Sequence, residues 1–252
     1  MTTIQLIPLK PENREQFIRA NQEAFRFGAL EEFGQRSDRF EEEGEIISRS
    51  TIERCIDEGN AYCIVQDGAV TGGIVIKTEY DHGELELLFV SPAAHSKGIG
   101  YAAWCEIERL HPEVTVWETF TPYFEKRNIH FYVNRCGFCI TEFYNAHHRD
   151  PDDTDDELFE MFRFEKQLPC TEEALQAQIR RITYYENLMQ QAVQDGSVPE
   201  DTSRALSAYY GSAAWKRDYA ADEAGLLPPS LKRGVLSEDG IYNLLEQESG
   251  AE

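Results

Sequence analysis

The stretch that decides the fold is ELELLFVSPAAHSKGIG, residues 84–100. It predicts a strand that ends near Val90, because Pro92 has no N–H to give to a sheet. From Gly98 onward, apolar residues recur at the three- and four-residue spacing of a helix. The glycines before that helix leave backbone N–H groups uncovered at its N-terminus, where anions bind. The stretch therefore predicts a strand, an anion-binding loop and a helix.

The flanking segments predict a mixed α+β architecture, because strands and helices interchange without a βαβ repeat. Ahead of the decisive stretch we predict, in order, a strand at 3–9, helices at 12–27 and 48–57, and strands at 61–66 and 70–80. Behind it we predict a helix to 110, a strand at 114–119, a helix at 124–135 and strands at 138–144 and 158–166. We expect Gly28 to end the first helix and residues 29–44 to form a mobile segment over a site.

A change of composition near Pro169 divides the chain. Residues 1–168 carry all the predicted strands, whereas residues 172–252 read as helices only, the first of them capped by Thr171. The stretch WKRDYAADEAG, residues 215–225, resembles a small uncharacterised bacterial helical domain. That resemblance implies no activity.

The charge and the apolar pattern limit the partners. With 24 basic and 46 acidic residues the net charge is −22, which disfavours nucleic acid because contact with phosphates needs a basic face. No apolar run is long enough to span a membrane, and the start MTTIQ does not resemble a signal peptide, so we expect a cytoplasmic protein. The pair Cys136 and Cys139 lacks a second pair to complete a zinc site, so we predict no metal.

Two nucleotide-binding patterns compete for the glycine loop. Residues 98–103, GIGYAA, satisfy the dinucleotide pattern, and Glu118 ends the next strand where a ribose-binding acid belongs. However, seven residues separate Val90 from Gly98, whereas the first glycine of that pattern directly follows its strand. An antiparallel meander also precedes the loop. A Walker loop is excluded because Lys and Ser or Thr do not follow Gly98.

A strand that ends in Val90 and Pro92, a short loop and a Gly-x-Gly helix start resemble the GNAT superfamily of acyl-CoA-dependent N-acyltransferases. A second motif, NIHFYVNRCGF at residues 128–138, is similar to the family's Asn, Phe-Tyr and Gly-Phe helix. The resemblance implies that acetyl-CoA is the co-substrate and that its pyrophosphate lies in the turn of residues 95–100. The cofactor-binding residues so implied are Phe89, Val90, His95, Ser96, Lys97, Gly98, Ile99, Gly100 and Asn128.

The chain departs from the family pattern at two positions. His95 stands where the family usually has Arg or Gln, so more of the affinity for CoA would rest on Lys97 and the backbone. Tyr132 stands five residues before Gly137 instead of four, which in a regular helix turns its side chain by about 100°.

The catalytic candidates lie on the decisive strand and on the later helix. Side chains alternate along a strand, so Glu84 and Glu86 share one face, and we expect Leu85, Leu87 and Phe89 to face the other way. By resemblance Glu84 matches the family's general base best, Glu86 is the second candidate and Tyr132 is the general acid. The alternatives are a solvated pair of carboxylates and a tyrosine that only packs. Glu118 and Tyr123 are candidates for the acceptor pocket.

Taken with the resemblance, the sequence predicts an N-acetyltransferase that acts on a primary amine of a small molecule. The acidic segments 25–54 and 145–157 favour a cationic acceptor such as a polyamine or an aminoglycoside. A homodimer is one assembly that this prediction allows. The alternative is an acyl-CoA-binding regulatory or interaction protein with little or no catalysis.

Overall fold

A computed structural model describes residues 3–33, 45–95, 97–149, 160–237 and 239–249. The chain divides into two compact units, Met1–Pro169 and Cys170–Glu252. None of the described helices combines the length and the apolar character that crossing a membrane requires.

The first unit is built on a seven-stranded sheet with the strand order β1-β2-β3-β4-β5-β7-β6. The strands are β1 (Gln5–Pro8), β2 (Asn60–Gln66), β3 (Ala69–Glu79), β4 (His82–Val90), β5 (Val116–Pro122), β6 (Cys139–Tyr144) and β7 (Met161–Gln167). All neighbours are antiparallel except β4 and β5, which pair in parallel. The predicted α+β class is thus confirmed.

Helices cover both faces of this sheet. They are α1 (Arg14–Phe33), α2 (Arg49–Glu58), α3 (Ile99–Leu110) and α4 (Lys126–His130), the last of which continues as a π-helix over Phe131–Cys136. One core lies between the sheet and α1 and α2, and includes Phe17, Ile52 and Phe89. The other lies on the α3 side and includes Trp104 and Phe164. The central strands β3 and β4 therefore carry buried side chains on both faces of the sheet.

The prediction that the first helix ends at Gly28 is wrong, because the helix runs on to Phe33. Gly28 is not among the glycines with a positive φ angle, so it does not adopt the left-handed conformation in which a glycine commonly ends a helix. A helical glycine costs only about 1 kcal/mol relative to alanine, and neighbouring contacts can offset that. Of the predicted mobile segment, residues 34–44 lie outside the described part of the chain.

Strand β4 contains a β-bulge at Glu86. Val75 of β3 faces Leu87, but the next residue, Ile76, faces Leu85. The extra residue reverses the alternation, so that Leu85 packs in the α3-side core while Leu87 and Phe89 pack against α1 and α2. The prediction that these three side chains share a face is therefore wrong.

The second unit is helical over its described residues, as predicted. Its helices are α5 (Glu172–Asp195), α6 (Glu200–Tyr209), α7 (Ala213–Glu223) and α8 (Gly240–Ser249). Thr171 caps α5, since its hydroxyl oxygen accepts the N–H of Ala174 at 3.0 Å. In the core, the buried carboxylate of Asp218 accepts hydrogen bonds from Arg181 and from the Tyr209 hydroxyl. This buried charge is paired, as a buried charge has to be.

Two glycine substitutions test how tightly α1 packs on the sheet. A Cβ atom at Gly73 would lie 2.2 Å from the Phe17 ring and 2.5 Å from the Phe89 ring, whereas one at Gly28 would meet nothing within 4 Å. We expect Gly73→Ala to lower the free energy of unfolding by about 1–3 kcal/mol through overpacking. Gly28→Ala should raise it by about 0.5–1 kcal/mol, because alanine favours a helix. Urea unfolding followed by circular dichroism measures both, and equal effects would contradict this packing.

Candidate active site

The site begins where two central strands separate. Strands β4 and β5 pair only between His82–Glu84 and Val116–Glu118. Beyond that point the Thr119 hydroxyl donates a hydrogen bond to the Leu85 carbonyl oxygen at 2.9 Å. From there β4 runs on to Val90 without a ladder to β5, and its residues Leu88 to Val90 line a cleft whose other walls are α1, α3 and residues 125–135.

The backbone of β4 presents polar groups to this cleft. The N–H of Ser91 donates to the Thr71 carbonyl oxygen of the other neighbouring strand at 2.8 Å. Since N–H groups alternate in direction along a strand, those of Leu88 and Val90 point away from β3 and toward the cleft. They are donors that a ligand in the cleft could use.

The loop after β4 leads into a helix N-terminus that faces the cleft. Gly98 caps α3 with a φ angle of 73°, a left-handed conformation that favours glycine. The first N–H groups of α3 have no partners within the helix, which makes them suited to an anion. A Cβ atom at Gly100 would sit 3.6 Å from both Val90 and Phe131, an ordinary contact distance. The packing of the protein therefore leaves room for a side chain at position 100. A glycine there would instead let a ligand approach the helix backbone closely.

The cations of the site come from the segment after β5. Arg127 Nη2 donates to His95 Nδ1 at 3.2 Å, while His95 Nε2 donates to the Val90 carbonyl oxygen at 2.8 Å. Arg127 and Arg135 both line the cleft, and Arg135 also lies 5.4 Å from the centre of the Tyr101 ring. His95 thus connects the loop to β4 and to Arg127. Arg127 places a positive charge beside position 95, where the sequence resemblance led us to expect an arginine or a glutamine. Two arginines against the one acid among the described lining residues, Glu125, leave the cleft with a positive charge that suits an anion, in a chain whose net charge is −22.

The cleft measures about 490 Å³ and brings together most of the predicted cofactor residues. Those that line it are Phe89, Val90, His95, Gly98, Ile99, Gly100 and Asn128, together with Tyr132. Lys97 adjoins the cleft in sequence but does not line it, and Ser96 lies outside the described residues. Sequence reasoning missed Arg127, Arg135, Phe25 and Gly28. A signal was available for the two arginines, since residues 126–135 are locally basic in an acidic chain.

The π-helix accommodates the extra residue of the second motif. The N–H of Gly137 bonds to the Tyr132 carbonyl oxygen, five residues back, which is the spacing of a π-turn. Tyr132 therefore lines the cleft despite the longer spacing. Burial raises the pKa of Tyr132 to about 12 and outweighs the hydrogen bonds with Thr119 and Thr121, which lower it.

The two candidate carboxylates of β4 do not line the cleft but lie beside it, on the face covered by α1 and α2. Glu86 accepts a hydrogen bond from the buried thiol of Cys55 at 3.3 Å and an ion pair from Lys77 at 2.8 Å. Burial, together with the negative charges of Glu86 and Glu118, raises the pKa of Glu84 to about 7, although Lys77 and His82 oppose the rise. Glu84 is thus a carboxyl group that changes its charge near neutral pH.

The two acceptor-pocket candidates lie outside the cleft lining as well. Glu118 is buried and accepts a hydrogen bond from Arg163 Nε at 2.6 Å. Burial raises the pKa of Glu118, but His82 and Arg163 together bring it below its ordinary value. Tyr123 is exposed and packs against Phe124 and Phe143.

Free backbone N–H groups on β4, a helix N-terminus and two arginines around one cleft define an α+β fold with a site that suits a phosphate-bearing ligand. The family model described as "Acetyltransferase (GNAT) family" matches residues 18–138, and the model "Domain of unknown function (DUF4298)" matches residues 168–251. A Bacillus subtilis (strain 168) protein, "Uncharacterized protein YrkN", is 44% identical over 146 residues, which cover 56% of this chain and 76% of that protein. Residues 18–138 therefore form a domain of the GNAT acetyltransferase family, which confirms the resemblance for this part of the chain.

Solved structures with a similar fold include three acetyltransferases. An IAA acetyltransferase from Bacillus cereus ATCC 14579 is 17% identical, with a TM-score of 0.45, and the match covers 66% of this chain and 100% of that one. A GNAT family acetyltransferase from Elizabethkingia anophelis with acetyl-CoA bound is 13% identical, with a TM-score of 0.46 and coverages of 67% and 100%. The PaiA N-acetyltransferase from Thermoplasma acidophilum, in complex with coenzyme A, is 18% identical, with a TM-score of 0.47 and coverages of 66% and 99%.

The cation at the turn can be tested by removing one charge at a time. We expect Arg127→Gln to weaken binding of coenzyme A by about 10- to 100-fold, because a hydrogen bond to a charged group contributes roughly 1.5–3 kcal/mol. Lys126→Gln removes the same charge one residue away from the cleft lining and should change the affinity little. Isothermal titration calorimetry measures both, and equal losses would mean that only the overall charge matters.

Proposed function

We propose that this protein transfers the acetyl group of acetyl-CoA to a primary amine of a small cationic molecule, with Glu84 as the general base and Tyr132 as the general acid. The observation that carries the proposal is the position of Glu84. It is a half-buried carboxyl group, with its pKa near 7, at the point where β4 and β5 part.

The donor half of the proposal rests on the fit of the cleft to coenzyme A. The N-terminus of α3, with Arg127 and Arg135, suits a pyrophosphate, and the N–H groups of Leu88 and Val90 suit the arm that carries the acyl group. When bound, acetyl-CoA supplies a thioester carbonyl that an amine can attack. A β4 N–H donating to the carbonyl oxygen, where negative charge develops, would contribute about 3 kcal/mol.

Glu84 suits the role of base better than Glu86 does. A protonated amine cannot attack a carbonyl carbon, so a group must take its proton, and a base with a pKa near the working pH does so best. Glu86 already accepts an ion pair from Lys77 and a hydrogen bond from Cys55. Among the described residues the Glu84 carboxyl group has no such partner, and only nearby charges and burial act on its pKa. Its side chain lies on the α1 and α2 face, so an acceptor would approach from the side opposite α3.

Tyr132 suits the role of acid. Its hydroxyl is protonated at neutral pH, so that it can donate a hydrogen bond or a proton to the departing thiolate of CoA. Its place in the cleft wall, next to Phe131 and Asn128, supports this assignment.

The charges around Glu84 support a cationic acceptor. Glu84, Glu86 and Glu118 lie near one another and are offset by Lys77 and Arg163. Once Glu84 is ionised the group has a net negative charge, which attracts an ammonium ion.

The proposal is tested by following thiol release from acetyl-CoA with a panel of polyamines, aminoglycosides, amino acids and peptides. Release that depends on one class of amine supports the proposal and identifies the acceptor. Tight binding of CoA without release for any amine would instead favour a regulatory acyl-CoA-binding protein.

Removal of the base should abolish the acidic limb of the pH profile. We expect Glu84→Gln to lower kcat/KM by at least about 100-fold with little change in the affinity for CoA. In the wild type, kcat/KM should fall below about pH 7 as Glu84 becomes protonated. Glu79→Gln, an exposed change on β3, is the matched control. Wild-type activity in Glu84→Gln would rule out this base.

The raised pKa of Glu84 also predicts how stability depends on pH. The folded state holds this proton up to about pH 7, whereas an unfolded glutamate releases it near pH 4.3, so the folded state binds more protons between these values. The contribution of Glu84 to stability is therefore lost as the pH rises through this window. The Glu84→Gln variant should lack this loss of stability. Its unfolding temperature, measured relative to that of the wild type, should therefore rise from pH 4.5 to pH 8.

Removal of the acid gives a separate test. We expect Tyr132→Phe to lower turnover by about 10- to 100-fold while the affinity for CoA stays within about twofold, because only the hydroxyl is lost. Tyr184→Phe, the same exchange at an exposed position of α5, should leave both unchanged. Equal turnover in Tyr132→Phe and the wild type would reduce Tyr132 to a packing residue.

A further inference from the structure

Asn21, in the middle of α1, is a buried amide without a partner. None of its surface is exposed, and within the described structure neither its Oδ1 nor its Nδ2 atom makes a hydrogen bond. An unsatisfied buried polar group destabilises a protein by about 1–3 kcal/mol, and few are found in native structures. A residue of this kind therefore needs an explanation.

The position of Asn21 links the core to the cleft. It shares the sheet-facing stripe of α1 with Phe17, Ala24 and Gly28, at spacings of four, three and four residues. At one end of this stripe the Phe17 ring packs against Phe89, with ring centres 5.0 Å apart. At the other end Ala24 and Gly28 line the cleft. Asn21 therefore lies about one helical turn, roughly 5.4 Å, from the cleft wall.

The two cleft-lining residues that follow Asn21 on this stripe are small. Ala24 has only a methyl group, and a Cβ atom at Gly28 would meet nothing within 4 Å. Asn21 itself does not line the cleft, so a ligand reaches its amide only if α1 shifts where Ala24 and Gly28 form the wall.

The chemistry of an amide selects the ligand group. Asn21 offers one hydrogen-bond acceptor and two donors. The pantetheine arm of coenzyme A carries two secondary amides, each with one N–H and one C=O, whereas its phosphates need cations and N–H groups. The phosphate-binding groups, Arg127 and the α3 N-terminus, lie in another part of the same cleft wall.

We propose that Asn21 hydrogen-bonds to an amide of the pantetheine arm of the acyl donor. The proposal rests on acetyl-CoA being the donor. In the free protein the unpartnered amide lowers stability, and the bound arm satisfies it. Asn21 then lowers the stability of the ligand-free protein and raises its affinity for the acyl donor.

The test is Asn21→Leu in the full chain, with coenzyme A and adenosine 3′,5′-bisphosphate as probes. Leucine has nearly the same size but no polar group, so the ligand-free protein should unfold at a higher temperature than the wild type. Its affinity for coenzyme A should fall about tenfold, while its affinity for the bisphosphate, which lacks the arm, should stay unchanged. Asn13→Leu, the same exchange at an exposed position, is the control for both measurements.

Three results would overturn the proposal: unchanged affinity for coenzyme A, an equal loss for the two probes, or a lower unfolding temperature without ligand. If Asn21→Leu fails to fold, the affinities of Asn21→Ala for coenzyme A and for the bisphosphate are measured instead, and the same affinity criteria apply. A wild-type protein that does not bind coenzyme A would instead refute the proposed donor, which distinguishes the two failures.

Discussion

The rest of the site depends on the limited pairing of β4 with β5. Only His82–Glu84 is paired in parallel with Val116–Glu118, and the rest of β4 has β3 as its single strand partner. A fully paired sheet would bury the N–H groups of Leu88 and Val90 in a ladder and close the cleft. Because the ladder stops, β4 is open to the cleft from Leu88 to Val90, while both faces of the sheet keep their cores.

The bulge at Glu86 divides the chemistry between the two faces of the sheet. It places Leu85 on the α3 side and Leu87 and Phe89 on the α1 side, so both faces of β4 remain apolar around the two glutamates. Glu84 is thereby kept among buried groups next to other carboxylates, which is the environment that raises its pKa. A solvated glutamate at the same position would be ionised far below neutral pH.

The positive charge of the site is contributed by a different segment from the one that forms the turn. His95 is held by the Val90 carbonyl oxygen and receives a hydrogen bond from Arg127, which lies 32 residues further along the chain. The π-helix that follows then turns Tyr132 toward the same cleft. An unusual residue in one motif and an extra residue in the other are thus both compensated by the segment after β5.

The sequence by itself determined the elements, the class of the fold, the family and the loop from Gly98 to Gly100, because helical spacing, strand alternation and glycine conformations are local properties of the chain. It also placed Tyr132 and Asn128 in a second motif of the same site. Only the tertiary structure decided which face Leu87 occupies, that Arg127 reaches His95, how the charges around Glu84 shift its pKa, and that Asn21 is buried without a partner. Each of these depends on residues distant in sequence, through strand register, burial and charge, and no local pattern encodes those distances.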